Sequence, residues 1–144
     1  MYGISGNSVE KNALENVLSL KTYVSQVKNV AKGETVGYGR IGQFEEDGKI
    51  ATLAIGYADG YSRALGNGQG AFEIHGQLCP TIGSICMDMC MVDISQFPDI
   101  SVEDTAIAFG GKIQLYDLAK QADTIPYEIM TNISERVKRV YVTG

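Results

Sequence analysis

No stretch of this 144-residue sequence is apolar over the ~20 residues that a membrane-spanning helix needs. The opening Met1-Tyr2-Gly3-Ile4-Ser5 has no basic run with an apolar core behind it, so no secretory signal is read there and a cytoplasmic location is expected. Positive charge is scarce. The formal net charge is −5, and the one basic cluster, Arg136, Lys138 and Arg139, reads as a solvated helix end with cations near the negative end of the dipole. Nucleic acid, which binds clustered lysine and arginine, is therefore not an expected partner, and neither is a membrane. Cysteine is sparse and odd in number: Cys79, Cys86 and Cys90 cannot make a disulfide framework. With His75 they could be drawn as a metal site, but the tight pairs of zinc ligands are missing, so buried thiols are the reading and no metal is expected. Repeats, low-complexity tracts and linkers are also lacking, which leaves one domain.

What is present is glycine, 17 in all, punctuating short β-type runs. Leu18, Leu20, Thr22 and Val24 fall on one face of a first strand, with Lys21 and Ser25 on the other. A turn follows at residues 31–34. Further strands are expected over residues 49–55, 71–75, 78–82, 85–94, 105–109, 112–115 and 138–142. Hairpin turns are expected at His75-Gly76-Gln77 and at Gly110-Gly111. Helices are read over residues 115–122 and 126–137, the second begun by Pro126 with Glu128 in its first turn, and a weaker one over residues 10–16 behind Ser8. The pattern is that of a mainly β sandwich or barrel with one or two short helices.

Three stretches could carry chemistry. In residues 55–63 a strand runs into Tyr57-Ala58-Asp59-Gly60, a tight-turn sequence, which sets Tyr57 where a rigid strand gives way to a loop. A tyrosine there can move a proton, or it can be a packed aromatic with a satisfied hydroxyl. Residues 83–93 alternate like a strand and are dense in sulfur, with Met87, Met89 and Met91 on one face and Cys86, Asp88 and Cys90 on the other. Soft side chains suit an irregular core, but Asp88 needs a hydrogen-bonded partner if buried there. Tyr127 stands in the first turn of a helix, where it could donate to an anion or simply pack.

Together and in this order, residues 36–40 (VGYGR), 55–61 (IGYADGY), 85–89 (ICMDM), 126–129 (PYEI) and 136–141 (RVKRVY) resemble the C-terminal domain of alanine racemases, over about Leu18 to Tyr141. The resemblance implies a β-rich, barrel-like domain over residues 17–144. Residues 1–16 resemble the exit segment from an N-terminal α/β barrel that holds pyridoxal 5'-phosphate on a lysine. It also implies a head-to-tail homodimer in which each C-terminal domain completes the other chain's active site. The implied activity interconverts L-alanine and D-alanine by two-base proton transfer on the cofactor-bound amino acid, supplying D-alanine for peptidoglycan. Carried over, Tyr57 is the base on the L-alanine face, the backbone N–H of Met87 meets the substrate carboxylate with Cys86 and Asp88 shaping that loop, and Tyr127 donates to the cofactor phosphate of its own chain. No segment resembles the one bearing the cofactor lysine, so the chain alone is expected to be inactive and free of cofactor. Two residues depart from the family pattern: Ser62 stands where proline is common, and Ser84 where many members carry an arginine that helps line the substrate corridor. The rival readings are a broad-specificity amino-acid racemase and, from another class, a non-catalytic β-barrel interaction module. An amino-acid decarboxylase of the same two-domain plan finds no matching motif.

Overall fold

The computed structural model describes residues 17–142. The exit segment expected over residues 1–16, with its short helix, lies outside them. The strands are β1 (Leu20–Val30), β2 (Thr35–Val36), β3 (Gly42–Gln43), β4 (Gly48–Leu53), β5 (Ala71–Ile74), β6 (Gln77–Ile82), β7 (Cys90–Asp93) and β8 (Thr105–Phe109), followed by helices α1 (Leu115–Gln121) and α2 (Pro126–Thr131). Six strands close a barrel in the order β1-β4-β7-β6-β5-β8, and β2 and β3 form a small separate ribbon. The mainly β, barrel-like fold with two short helices is the one expected.

Closure depends on β1. Its first half pairs antiparallel with β8 over Leu20–Tyr23, and its second half with β4 over Val24–Val30. Leu20 and Val24 point inward, as the alternation predicts. The register then shifts between Val24 and Gln26, and Val27 takes over on the inner side. A bulge of this kind bends a strand and increases its twist, so one strand can serve both edges of the sheet. The turn at His75 and Gly76, both at positive φ (49° and 73°), joins β5 to β6 as a two-residue hairpin of the favoured hand.

The interior is filled by Val24, Leu53, Phe72, Ile74, Val92, Ile94 and Phe109, each fully buried. Leu115, Leu118 and Ala119 of α1 and Ile129 of α2 join the same cluster, so the helices complete this core. Among the described residues Thr81 is the one buried polar side chain. Its Oγ1 lies 2.6 Å from the Leu65 carbonyl and 3.1 Å from that of Gly70, and it accepts from the Gly68 N–H at 3.2 Å. The two carbonyls also accept backbone N–H groups, so Thr81→Val keeps the shape and leaves only the Gly68 N–H without its partner, and a loss of about 1–3 kcal/mol is expected in thermal melts of the chain. An unchanged midpoint would show that water satisfies that N–H.

Several sequence expectations are corrected. Residues 83–89 are not strand: Gly83 (φ 71°) turns the chain out of β6, and the ladder resumes only at Cys90. Met87, Asp88 and Met89 are consequently exposed, whereas Met91 is buried beside Cys90. Gly110-Gly111 is not a hairpin, and residues 112–115 are not a strand. The Gly110 N–H donates to the Ile113 carbonyl at 2.9 Å in a turn that feeds α1. The second helix ends at Thr131 instead of running to residue 137, because the Ser134 N–H is taken by the Asp59 carbonyl at 3.1 Å. Residues 138–142 form no strand, and Val140, Tyr141 and Val142 are 70%, 93% and 87% exposed. The basic cluster therefore does not sit on a helix end. Arg139 instead donates to the carbonyls of Ile133, Ser134 and Val137.

Among the described residues no helix is long and apolar enough to cross a membrane, and no three His, Cys, Asp or Glu side chains are grouped to hold a metal. His75 lies 3.1 Å from Asp104. Cys79 and Cys90 are buried, and Cys86 is half-buried. Burial, with Asp93 nearby, pushes the Cys79 thiol up to about 11, and burial raises that of Cys90 further, so neither is a nucleophile near neutral pH.

Candidate active-site face

Strand register brings two of the three stretches together. Leu53, the last residue of β4, pairs with Cys90, the first of β7. The chain leaving β4 enters the 55–61 turn, and the chain entering β7 comes from the 83–89 loop. Two segments some thirty positions apart therefore emerge side by side at one end of the barrel. Tyr57, Ala58 and Asp59 form a single 3-10 turn there. The Tyr57 N–H donates to the Cys86 carbonyl and the Ala58 N–H to that of Met87, both at 3.0 Å. These are the backbone acceptors that a continued strand would have spent on its ladder, which is the physical reason residues 83–89 leave the sheet.

Two glycines permit the contact. A Cβ on Gly56 would sit 2.3 Å from the carbonyl oxygens of both Cys86 and Met87. Gly60, at φ 108°, lies so close to the segment after α2 that a Cβ would be 2.5 Å from the Asn132 carbonyl oxygen. Asp59 fastens the turn internally, its Oδ2 accepting from the Gly56 N–H at 2.8 Å. Its Oδ1 accepts from Arg136 Nε at 2.7 Å, and Arg136 Nη2 reaches Asp88 Oδ1 at 2.6 Å. Asp88 is thus not a buried strand carboxylate. Its side chain is 57% exposed and its partner is a guanidinium.

The two tyrosines of the GYADGY stretch have different roles. Tyr61 is buried against Phe72, with ring centroids 4.6 Å apart and its hydroxyl 3.5 Å from the Ala71 carbonyl. Burial holds its phenol well above the ordinary range, so it is a packing residue. Tyr57 is 42% exposed, and the Arg63 guanidinium lies over its ring at 5.9 Å from the centroid. Its ring faces an open groove of about 450 Å³, also lined by Ser62, Arg63, Thr124, Glu128 and Asn132. The start of α2 forms the other wall. There Pro126 is buried beneath the helix and Thr124 Oγ1 is 2.6 Å from Glu128 Oε2. Tyr127 is exposed on the first turn, adjacent in sequence to the groove-lining Glu128, but does not itself line the groove. Met87 is exposed on the neighbouring loop, and the Cys86 thiol lies 3.8 Å from the Ser84 carbonyl.

Tyr57, Met87 and Cys86 thus share one backbone-bonded pair of loops, while Tyr127 stands apart from them, exposed on the first turn of α2 and outside the groove. Sequence reasoning had no roles for Arg63 and Arg136. The contacts of Arg136 with Asp59 and Asp88 span 77 and 48 positions and leave no local signal in the sequence.

The model of the C-terminal domain of alanine racemase matches residues 17–141. The chain belongs to the alanine racemase family. Alanine racemase 1 of Clostridium acetobutylicum is 42% identical over 149 residues, which cover 99% of this chain and 38% of that protein. The biosynthetic alanine racemase of Pseudomonas aeruginosa superposes with a TM-score of 0.91 at 31% identity, over 99% of this chain and 40% of the other. The Bartonella henselae alanine racemase, a structure with covalently bound pyridoxal phosphate, gives 0.91 at 30% identity over 98% and 39%. The chain therefore spans about two-fifths of the length of these alanine racemases, as their C-terminal domain.

Proposed function

We propose that this domain supplies one proton-transferring face of an enzyme that interconverts L-alanine and D-alanine. The observation that supports the reading is the pairing of Tyr57, which lines a groove, with Met87 on a loop hydrogen-bonded to its own. Tyr57 takes or returns the α-proton on the L-alanine face through its phenol oxygen. The Arg63 guanidinium over its ring limits where that oxygen can go. The loop of Cys86 and Met87 presents the Met87 N–H to the substrate carboxylate. Its shape is set by the carbonyls that receive the Tyr57 turn, so both groups address one substrate in fixed relation.

The groove's donors suit the rim of a pyridoxal phosphate site and not its anchor. They include the Tyr57 and Ser62 hydroxyls and the Arg63 cation beside the carboxylates of Asp123 and Glu128, the latter bonded to Thr124, with no lysine among the groove-lining residues. When bound, pyridoxal phosphate supplies an electron sink for the charge left by the departing α-proton. Tyr127, exposed on α2, would donate its hydroxyl to the phosphate of its own chain's cofactor, while the anchoring lysine would come from an N-terminal barrel domain. A second subunit, docked head to tail, brings that groove to the substrate. The activity is placed in the cytoplasm, feeding D-alanine to peptidoglycan.

Expression of the complete reading frame and assay of L- to D-alanine conversion with added pyridoxal phosphate tests the reading, and no conversion by the loaded protein overturns it. The isolated chain is expected to be inactive and to keep no pyridoxal phosphate through dialysis. A retained visible band that borohydride reduces would show that one of its own lysines is an anchor.

A further inference from the structure

We propose that Arg136 is a positioning residue that braces the proton-carrying Tyr57 turn against the Met87 loop, beside the two backbone hydrogen bonds that join them. The inference rests on the reading of those two residues given above. Asp59 lies two positions after Tyr57, and Asp88 one position after Met87. One guanidinium joins them, through Nε to Asp59 Oδ1 at 2.7 Å and Nη2 to Asp88 Oδ1 at 2.6 Å. The Asp59 end is held firmly. That side chain is only 15% exposed, its other oxygen accepts from the Gly56 N–H, and its carbonyl accepts from the Ser134 N–H. The Asp88 end is the movable one, 57% exposed on a loop without ladder bonds. A planar guanidinium fixes the distance and angle between two carboxylates. A lysine ammonium in its place is a point charge on a flexible stem and reaches one at a time. Exposed ion pairs add little to folding stability, so this bridge is better suited to geometry than to strength.

The test uses the complete, cofactor-loaded enzyme. Arg136→Gln frees both arms, so kcat is expected to fall and KM to rise, for a loss of about 10–100-fold in kcat/KM. Asp59→Asn loosens the Tyr57 arm and lowers mainly kcat. Asp88→Asn releases only the Met87 loop and raises mainly KM. Arg136→Lys restores one of the two parameters and not both. Independently of activity, amide exchange in the peptide spanning Tyr57 and Ala58 is expected to speed up about tenfold in Arg136→Gln, because those N–H groups bond the Met87 loop. Wild-type kcat, KM and exchange in Arg136→Gln would overturn the proposal. So would a fall in melting temperature with kcat and KM moving together in all four variants. A wild-type enzyme that does not racemise alanine would overturn the functional reading instead, and the exchange measurement would still decide the role of Arg136.

Discussion

Tyr57→Phe in the complete enzyme is expected to lower racemisation by about 10²–10⁴ in both directions, the usual worth of a positioned general base. That is about 3–5 kcal/mol of barrel-end chemistry carried by one oxygen atom. The fold should not suffer. The Tyr57 ring is 42% exposed and outside the core cluster, and phenylalanine keeps the surface under the Arg63 guanidinium. Melting temperature and cofactor content are therefore expected to stay at wild-type values. The informative measurement is directional. In deuterated water, α-proton exchange from D-alanine is expected to persist through the lysine of the N-terminal domain, while exchange from L-alanine falls sharply. Each net conversion needs both faces, which is why both directions slow while only one exchange does. Exchange from L-alanine at the wild-type rate would return Tyr57 to the status of a surface aromatic. Tyr61 is the internal contrast. Its phenol is buried against Phe72, so Tyr61→Phe leaves the groove untouched.

The barrel was legible where alternation and turn chemistry agreed. Residues 49–55, 71–75, 78–82 and 105–109 became β4, β5, β6 and β8 within two residues, and His75-Gly76 made the hairpin. Period-2 alternation misled in residues 83–89, because a loop whose carbonyls bond another loop can alternate in sequence without ever entering a ladder. Asp88 was then assigned to an apolar strand, when its partner lies 48 positions away. Arg136 could not be found by local reasoning at all, since its other contact spans 77 positions. The helix from Pro126 was correctly begun and wrongly ended. Its start is a local matter of proline geometry, while its end is set by the distant Asp59 carbonyl. Local rules thus placed Tyr57 on a loop and Tyr127 at a helix start, but put Met87 in a strand. Only register and long-range hydrogen bonds set them relative to one another.

Gly56→Ala is expected to damage stability and activity together, and for a reason that is purely spatial. Gly56 has an extended backbone, φ −145° and ψ −165°, which alanine adopts without strain. By the unfolded-state argument alone the substitution would stabilise by about 0.4–1 kcal/mol. The added Cβ, however, would lie 2.3 Å from the carbonyl oxygens of Cys86 and Met87. Both are backbone atoms and both accept from the Tyr57 turn, so neither can rotate aside as a side chain would. Relief requires the loops to part, which breaks two hydrogen bonds of about 1 kcal/mol each on top of the overpacking cost of about 1–3 kcal/mol. The net expectation is a loss of about 2–4 kcal/mol, read in thermal melts, with kcat/KM in the complete enzyme falling at least as far as in Arg136→Gln. Gly68→Ala is the control. It has positive φ but nothing within 4 Å of its added Cβ, so it should cost only the backbone strain of about 1–2 kcal/mol and leave kinetics alone. If Gly56→Ala melted and turned over like the wild type, the two loops would not be in contact, and the common basis for the roles of Tyr57, Met87 and Arg136 would be lost.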